Sequence, residues 1–161
     1  KTIGQLFQNG PKTDPASQRL MTNEISASFK DKNIVFYDGE CGFCNHWVQW
    51  ILEKDKNDKF LFSSLQSEFG QKFLNERNLP NEVFDTLYLW KPNSFYLTKY
   101  QAILEIASEI GGIYSLASVG KILPDAIGNQ FYNLVSRNRK KLASNQCFLP
   151  SAEQRKKFIE K

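Results

Sequence analysis

The sequence predicts an α/β domain in which the elements follow the order β-α-β-α-β-β-α, with additional helices at the C-terminal end. Two observations carry this prediction. Short apolar runs that are typical of buried strands alternate with longer segments whose apolar residues recur at helical spacing. The chain has 161 residues, which is enough to bury a core without disulfide staples.

The first elements predict a β-α-β unit. Residues 33–37 form an apolar run typical of a buried strand, residues 41 to about 54 have helical periodicity, and residues 60–65 form a second apolar run. The residues expected on the inward face of this helix are Cys44, Trp47, Val48, Ile51 and Leu52.

The next segments predict a helix and a pair of short strands. The helix covers about residues 67 to 77, and the strands cover residues 86–90 and 95–98. Between the two strands lies Lys91-Pro92-Asn93-Ser94, which is typical of a hairpin-like turn.

Three helices are predicted after the strands. The first covers about residues 100 to 110 and ends at Gly111-Gly112, because glycine readily adopts the left-handed conformation that ends helices. A short helix covers residues 115–122, and a longer one covers about residues 124 to 142. The first helix has Ala102, Ile103, Ile106, Ala107 and Ile110 on one side, and the last has Ile127, Phe131, Leu134, Val135 and Asn138 on one face.

The polar N-terminal segment differs from the rest of the chain. Residues 1–30 have little periodicity and contain Gly10-Pro11 and Asp14-Pro15, which break regular structure. We therefore expect residues 1–30 to be an extension that is flexible or loosely packed. Residues 31–161 are expected to form a single domain.

The most informative motif is Asp38-Gly39-Glu40-Cys41-Gly42-Phe43-Cys44-Asn45, which lies where the first strand gives way to a helix. A cysteine at a helix N-terminus faces unpaired N–H groups and the positive end of the helix dipole, which favour the thiolate. Cys41 is therefore the candidate nucleophile. Cys44 lies just under one turn further on and on nearly the same face, so it is the candidate resolving thiol.

Composition indicates the environment in which this pair works. Three cysteines are too few for a disulfide scaffold, and neither a signal-peptide pattern nor a membrane-spanning stretch is found. We therefore expect a soluble protein of the cytoplasm or of another reducing compartment. In such a compartment a Cys-x-x-Cys pair is typical of catalysis or metal binding.

Basic residues are concentrated near the C-terminal end. Residues 137–161 contain eight Lys or Arg and two Glu, so an anionic ligand, an acidic protein or phosphate groups could be attracted there. No aromatic spacing typical of a nucleic-acid platform accompanies them, and no nucleic-acid partner is predicted. A non-enzymatic protein that binds a partner through this basic segment stays open as an alternative.

The element order with a dithiol after the first strand resembles the thioredoxin fold. The fuller pattern resembles the DCC family of thiol-disulfide oxidoreductases, which is named for an Asp-Cys-Cys motif, here Asp38, Cys41 and Cys44. The resemblance covers about residues 33–161. Its further matches are Thr86-Leu87-Tyr88-Leu89, Ala102-Ile103-Leu104, Arg137-Asn138-Arg139, and Cys147-x-x-Pro150 with Arg155 and Phe158.

This resemblance implies thiol-disulfide exchange with a disulfide-containing protein or a small thiol. It implies no required cofactor, and glutathione is a candidate thiol co-substrate. One departure from thioredoxins and glutaredoxins concerns substrate docking. Those proteins place a cis-proline just before the third strand, where it offers backbone pairing to the substrate, whereas here Asp85 precedes Thr86.

Roles for the other candidate residues stay open. Asp38 is expected either to cap the helix that follows or to accept a proton near the resolving thiol. Arg137 and Arg139 are surface charges, or they bind a carboxylate or stabilise the Cys41 thiolate. Cys147 is either a small buried apolar residue or a third redox thiol. We expect the last long helix to fold back and bring a guanidinium near Cys41.

Metal binding is the main alternative to redox exchange. Zinc needs four ligands, and the Cys and His residues of the chain are Cys41, Cys44, Cys147 and His46. His46 follows Cys41 by five residues and points to another side of the helix, so a four-ligand site looks strained. An iron-sulfur cluster stays open, because Cys41-Gly42-Phe43-Cys44 differs at one position from the Cys-Gly-Phe-Ser of monothiol glutaredoxins.

Overall fold

The computed structural model describes residue 29 and residues 31–82, 84–92, 94–142 and 150–159. Residues 31–161 form one compact unit. The predicted extension, residues 1–30, lies outside the described residues apart from Phe29. The predicted division of the chain at this point stays a prediction.

The described elements give a mixed α/β fold, which confirms the predicted class. In chain order they are β1 (Asn33–Tyr37), α1 (Gly42–Lys54), β2 (Phe60–Ser64), α2 (Glu68–Glu76), β3 (Tyr88–Trp90), β4 (Tyr96–Thr98), α3 (Lys99–Ile110), a 3₁₀ helix (Gly112–Ile122), α4 (Asp125–Leu142) and α5 (Ala152–Arg155). β3 begins two residues later than predicted, because the N–H of Leu87 donates to the Tyr132 hydroxyl and not to a strand. The predicted end of α3 is confirmed, since Gly111 and Gly112 both have positive φ, of 79° and 60°.

One four-stranded sheet in the order β2-β1-β3-β4 organises the domain. β1 pairs in parallel with β2 and antiparallel with β3, so that Val35 lies opposite Phe62 on one side and Leu89 on the other. The parallel pair requires a crossover, which α1 supplies. Parallel pairing also brings the C-terminal ends of β1 and β2 to the same edge of the sheet, where the dithiol follows β1.

Buried apolar side chains cover both faces of the sheet. One cluster unites the sheet with α1 and α3, and its members are Val35, Tyr37, Val48, Ile51, Leu52, Phe60, Phe62, Leu89, Ala102 and Ile106. On the opposite face Phe36 stacks on Phe73 of α2 with ring centroids 4.1 Å apart, and both rings contact Trp90. The two faces alternate along β1 as the period of a strand requires.

The C-terminal segment adds a further pairing to the sheet. The N–H of Phe62 donates to the carbonyl of Lys157 at 2.8 Å, and the N–H of Ile159 donates to the carbonyl of Phe62 at 2.8 Å. The Phe158 ring lies 5.6 Å from the Phe62 ring. Residues 157–159 therefore cover the outer edge of β2, which would otherwise present unpaired main-chain groups.

Several side chains expected to face inward are exposed instead. Trp47 of α1 is 47% exposed. In α3, Ala102 and Ile106 of the predicted side are buried, but Ile103 is exposed and Leu104, which was not predicted on that side, is buried. The exposed residues of the predicted α4 face are Ile127, Phe131, Leu134 and Val135. None of the described helices combines the length and hydropathy of a membrane-crossing segment.

Candidate active site

Cys41 and Cys44 lie together at the beginning of α1. Cys41 is the residue that precedes the helix, with an extended backbone (φ −91°, ψ 111°), and its carbonyl accepts from the N–H of Asn45 at 3.0 Å. Both side chains are free thiols. Cys41 is only 9% exposed, whereas Cys44 is half-buried. The two thiols therefore lie close together, with little solvent around the first.

The environment of Cys44 keeps its thiol protonated. Burial, with the hydrogen bond and charge of Cys41 adding to it, raises the pKa of Cys44 to about 12. The positive charge of Arg139 lowers this pKa and the negative charge of Asp38 raises it, both by smaller amounts than burial. At neutral pH the Cys44 side chain is therefore a hydrogen-bond donor.

Asp38 binds three groups around the turn that precedes α1. Its Oδ1 accepts from the N–H of Glu40 at 3.1 Å and from Nε2 of Gln66 at 2.7 Å. Its Oδ2 forms an ion pair with Arg139 at 3.2 Å. Asp38 thus fastens the turn itself. It does not cap α1 as the sequence allowed, since its main-chain contact is with Glu40, which precedes the helix.

Gln66 holds the turn from the side of β2, and sequence reasoning did not identify it. Its Oε1 accepts from the N–H of Gly39 at 3.0 Å, while the side chain of Asn45 donates to the carbonyl of Gly39 at 3.1 Å. A β-carbon at Gly39 would lie 2.6 Å from Oγ of Ser64, so glycine is needed for this close approach. The available signal was the parallel pairing of β1 with β2, which brings the residues after both strands together.

One face of α4 binds the main chain of the segment before β3. The contacts are from Arg139 to the carbonyl of Phe84 at 3.0 Å, from Ser136 to the carbonyl of Asp85 at 3.1 Å, and from the N–H of Leu87 to the Tyr132 hydroxyl at 2.9 Å. The three α4 residues recur at helical spacing, which places them on one side of the helix. These bonds hold α4 beside the dithiol.

The remaining sequence candidates are placed differently. Arg139 interacts with both Asp38 and Cys44. Arg137 is exposed, and no hydrogen bond or ion pair joins it to another residue in the part of the chain that the structure describes. Cys147 lies outside the described residues. The sequence alone could not choose between the two arginines.

A cavity of about 600 Å³ adjoins Cys44. Its walls are aromatic and aliphatic, and Trp50 and Tyr114 meet edge to face there with centroids 5.0 Å apart. Of the lining residues that the structure describes, Arg139 is the sole charged one, and it is paired with Asp38. The lining residues are Phe43, Cys44, Trp47, Val48, Trp50, Ile51, Leu87, Tyr100, Ile103, Ile106, Ala107, Tyr114, Phe131, Tyr132, Val135, Ser136 and Arg139.

The described residues offer no obvious metal site. Within residues 31–82, 84–92, 94–142 and 150–159, no three His, Cys, Asp or Glu side chains come together as a ligand set. His46, the histidine weighed as a ligand, is exposed. What this arrangement offers chemically is a pair of neighbouring thiols beside an apolar cavity, in which Arg139, the one charged lining side chain that the structure describes, is paired with Asp38.

Comparison with known proteins agrees with the family resemblance of the motif that contains Asp38, Cys41 and Cys44. The profile of the DCC1-like thiol-disulfide oxidoreductase family matches residues 35–145. The uncharacterized protein YuxK of Bacillus subtilis is 31% identical over 128 residues, which cover 78% of this chain and 93% of that protein. A chloroplastic DCC family protein of Arabidopsis thaliana is 29% identical over 119 residues, covering 72% of this chain and 69% of that protein. No solved structure matches the chain.

Proposed function

Because the chain belongs to the DCC1-like thiol-disulfide oxidoreductase family, we propose that Cys41 and Cys44 exchange disulfides with a substrate by cycling between dithiol and disulfide. One observation carries this proposal. The two free thiols lie close together at the N-terminal end of α1, which is the arrangement that an exchange between two neighbouring sulfurs requires.

Cys41 makes the first attack. Its position before α1 faces the unpaired N–H groups of the first turn, and the protonated Cys44 donates a hydrogen bond to its sulfur. We therefore assign the first attack to Cys41. The thiolate attacks one sulfur of the substrate disulfide, the substrate S–S bond breaks, and the leaving thiolate takes up a proton. The product is a mixed disulfide on Cys41.

Cys44 then resolves the mixed disulfide. Once Cys41 is bonded to the substrate it no longer carries a charge, so one cause of the raised Cys44 pKa is removed. The Cys44 sulfur attacks that of Cys41, and its proton passes to the departing substrate thiolate. Counting the proton that Cys41 gave to solvent when it ionised, which the first leaving thiolate takes back, the reduced dithiol has lost two protons and two electrons. The substrate disulfide has gained them as two thiols. The same steps in reverse oxidise a substrate dithiol.

Asp38 and Arg139 act as positioning residues. The Asp38 carboxylate is engaged by Glu40, Gln66 and Arg139, so we assign it to holding the turn and the guanidinium and not to accepting a proton. Arg139 in turn lowers the pKa of Cys44 and thereby assists the resolving attack. The scheme uses no bound cofactor.

The test is oxidation of the prereduced protein by bis(2-hydroxyethyl) disulfide, followed by alkylation and peptide mass spectrometry. We expect the wild-type protein to lose the Cys41 and Cys44 thiols together. Cys44→Ser should stop at a mixed disulfide on Cys41, and Cys41→Ser should react slowly. If both variants react as fast as the wild-type protein, or if trapping occurs on Cys44 only, the proposed roles are wrong.

A further inference from the structure

Resting on the proposed function, we infer that the substrate is a small, uncharged and largely apolar disulfide or thiol that occupies the cavity beside Cys44. Its disulfide lies at the end of the cavity beside Cys44, within reach of the neighbouring Cys41 that makes the first attack, and its apolar part fills the remainder of the cavity. The exchange itself is the one written above, with the substrate disulfide as the oxidant of the protein dithiol.

The walls of the cavity indicate the polarity of the occupant. The volume of about 600 Å³ falls within the range of about 300–1,000 Å³ that is typical of small-molecule sites. Aromatic side chains from four elements line it, including Trp50 of α1, Tyr100 of α3, Tyr114 of the 3₁₀ helix and Phe131 of α4. Binding an apolar group removes such walls from water, which is favourable. A polar group would find few hydrogen-bond partners there.

The charges around the cavity indicate an uncharged ligand. Arg139 is the sole charged side chain among the described lining residues, and Asp38 already neutralises it at 3.2 Å. An anion entering the cavity would have to compete with Asp38 or stay unpaired, and an unpaired charge in an apolar site is costly. Glutathione carries carboxylates and an ammonium group, so the cavity selects against it.

The main chain near the dithiol argues against an extended polypeptide. Extended peptides bind by pairing with free main-chain groups at the edge of a sheet. In the segment before β3, side chains of α4 already bond the carbonyls of Phe84 and Asp85 and the N–H of Leu87. Residues 157–159 cover the outer edge of β2. The edge at β4 is separated from β1 by β3.

The first experiment compares two disulfides that differ in charge alone. 5,5′-Dithiobis(2-nitrobenzoate) and its uncharged bis-amide oxidise the prereduced full chain in single turnovers, and each rate is divided by the rate of the same reagent with 2-mercaptoethanol. We expect the normalised rate to be about 10-fold higher for the bis-amide, a factor typical of differential binding in an apolar pocket. Equal rates, or a faster anion, would overturn the inference.

Two further disulfides test the class of substrate. Oxidised glutathione and an extended peptide containing a disulfide should both react more slowly than the bis-amide after the same normalisation. A peptide that reacts as fast as the bis-amide would contradict the assignment of a small ligand. If no disulfide, including bis(2-hydroxyethyl) disulfide, oxidises the Cys41 and Cys44 pair, the proposed function itself fails; if all do so without preference, only the present inference fails.

Matched variants tie the selectivity to the cavity. Ile103→Gln places an amide at the cavity wall, whereas Ile122→Gln makes the same change at a side chain that is 83% exposed and outside the lining. We expect Ile103→Gln to slow the bis-amide about 10-fold and Ile122→Gln to leave its rate unchanged. Ala107→Phe, which fills the cavity from α3, should act like Ile103→Gln. Unchanged bis-amide rates in both cavity variants would overturn the inference.

Discussion

The Asp38 carboxylate and the Arg139 guanidinium form an ion pair of 3.2 Å that joins the turn before α1 to α4. Both side chains are largely shielded from solvent, with 12% of Asp38 and 17% of Arg139 exposed. The charge of Asp38 raises the pKa of Cys44 and the charge of Arg139 lowers it. The pair therefore places a nearly neutral unit beside the dithiol, and removing either member leaves a net charge there.

Asp38→Asn and Arg139→Gln should shift the pKa of Cys44 in opposite directions. Asp38→Asn removes a negative charge, so the Cys44 pKa should fall, and Arg139→Gln removes a positive charge, so it should rise. The measurement is the pH dependence of Cys44 alkylation, followed by peptide mass spectrometry in a Cys41→Ser background. Both shifts should shrink as salt screens the charges.

Arg137→Gln is the matched control for this experiment. Arg137 is exposed, and in the described part of the chain it has no ion pair, so this variant should leave the Cys44 pKa unchanged. Shifts of the same sign in Asp38→Asn and Arg139→Gln, or an equal shift in Arg137→Gln, would contradict the role given to the pair.

Tyr132→Phe should destabilise the fold by about 1–3 kcal/mol, because the N–H of Leu87 loses the hydroxyl to which it donates at 2.9 Å. The free energy of unfolding in urea measures this change. Tyr114→Phe is a suitable control, since Tyr114 lines the same cavity and its ring contacts Trp50. If Tyr114→Phe lowers the free energy of unfolding as much as Tyr132→Phe does, the hydrogen bond to Leu87 is not the cause of the destabilisation.

Stability should fall at alkaline pH. Burial raises the pKa of Cys44 from 9.0, and that of Tyr132 from 10.0, to about 12 in each case. The folded state therefore keeps these protons where the unfolded state loses them. This contribution is complete below about pH 9 and is lost as pH rises toward 12. Under reducing conditions, unfolding free energies that stay flat or rise over this interval would contradict the burial of these groups.

Truncating a fully buried phenylalanine to alanine typically costs about 3–5 kcal/mol of unfolding free energy. Phe158→Ala should cost less than this, because Phe158 is half-buried against Phe62. Removing residues 156–161 should cost more, since the main-chain bonds to β2 are lost as well. Urea unfolding measures both. Phe95→Ala at an exposed ring is the control, and a truncated chain as stable as the intact one would contradict this account.

The fold and the dithiol were predictable because their signals are local. An apolar run followed by helical periodicity predicted β1 and α1, and the spacing of Cys41 and Cys44 put both thiols in the first turn without knowledge of any distant contact. The glycines after α3 marked its end for the same reason, since their φ angles are set within the chain.

The rest of the site depends on contacts between distant segments. Gln66 reaches Asp38 because β1 and β2 pair in parallel, and nothing in the residues around it marks that contact. The periodicity of α4 predicted one apolar face, and Phe131 and Val135 of that face line the cavity. The hydrogen bonds from this helix to the segment before β3 come instead from Tyr132, Ser136 and Arg139. These polar side chains pair main-chain groups of the segment before β3, which a hydrophobic pattern does not reveal.

A redox titration tests the central claim most directly. The intact chain is equilibrated in mixtures of reduced and oxidised dithiothreitol, remaining thiols are alkylated, and peptides are identified by mass. Our account predicts one two-electron transition in which the peptides of Cys41 and Cys44 become joined by a disulfide. If Cys41 and Cys44 stay separate thiols across the whole range, or if either joins Cys147 instead, the account is contradicted.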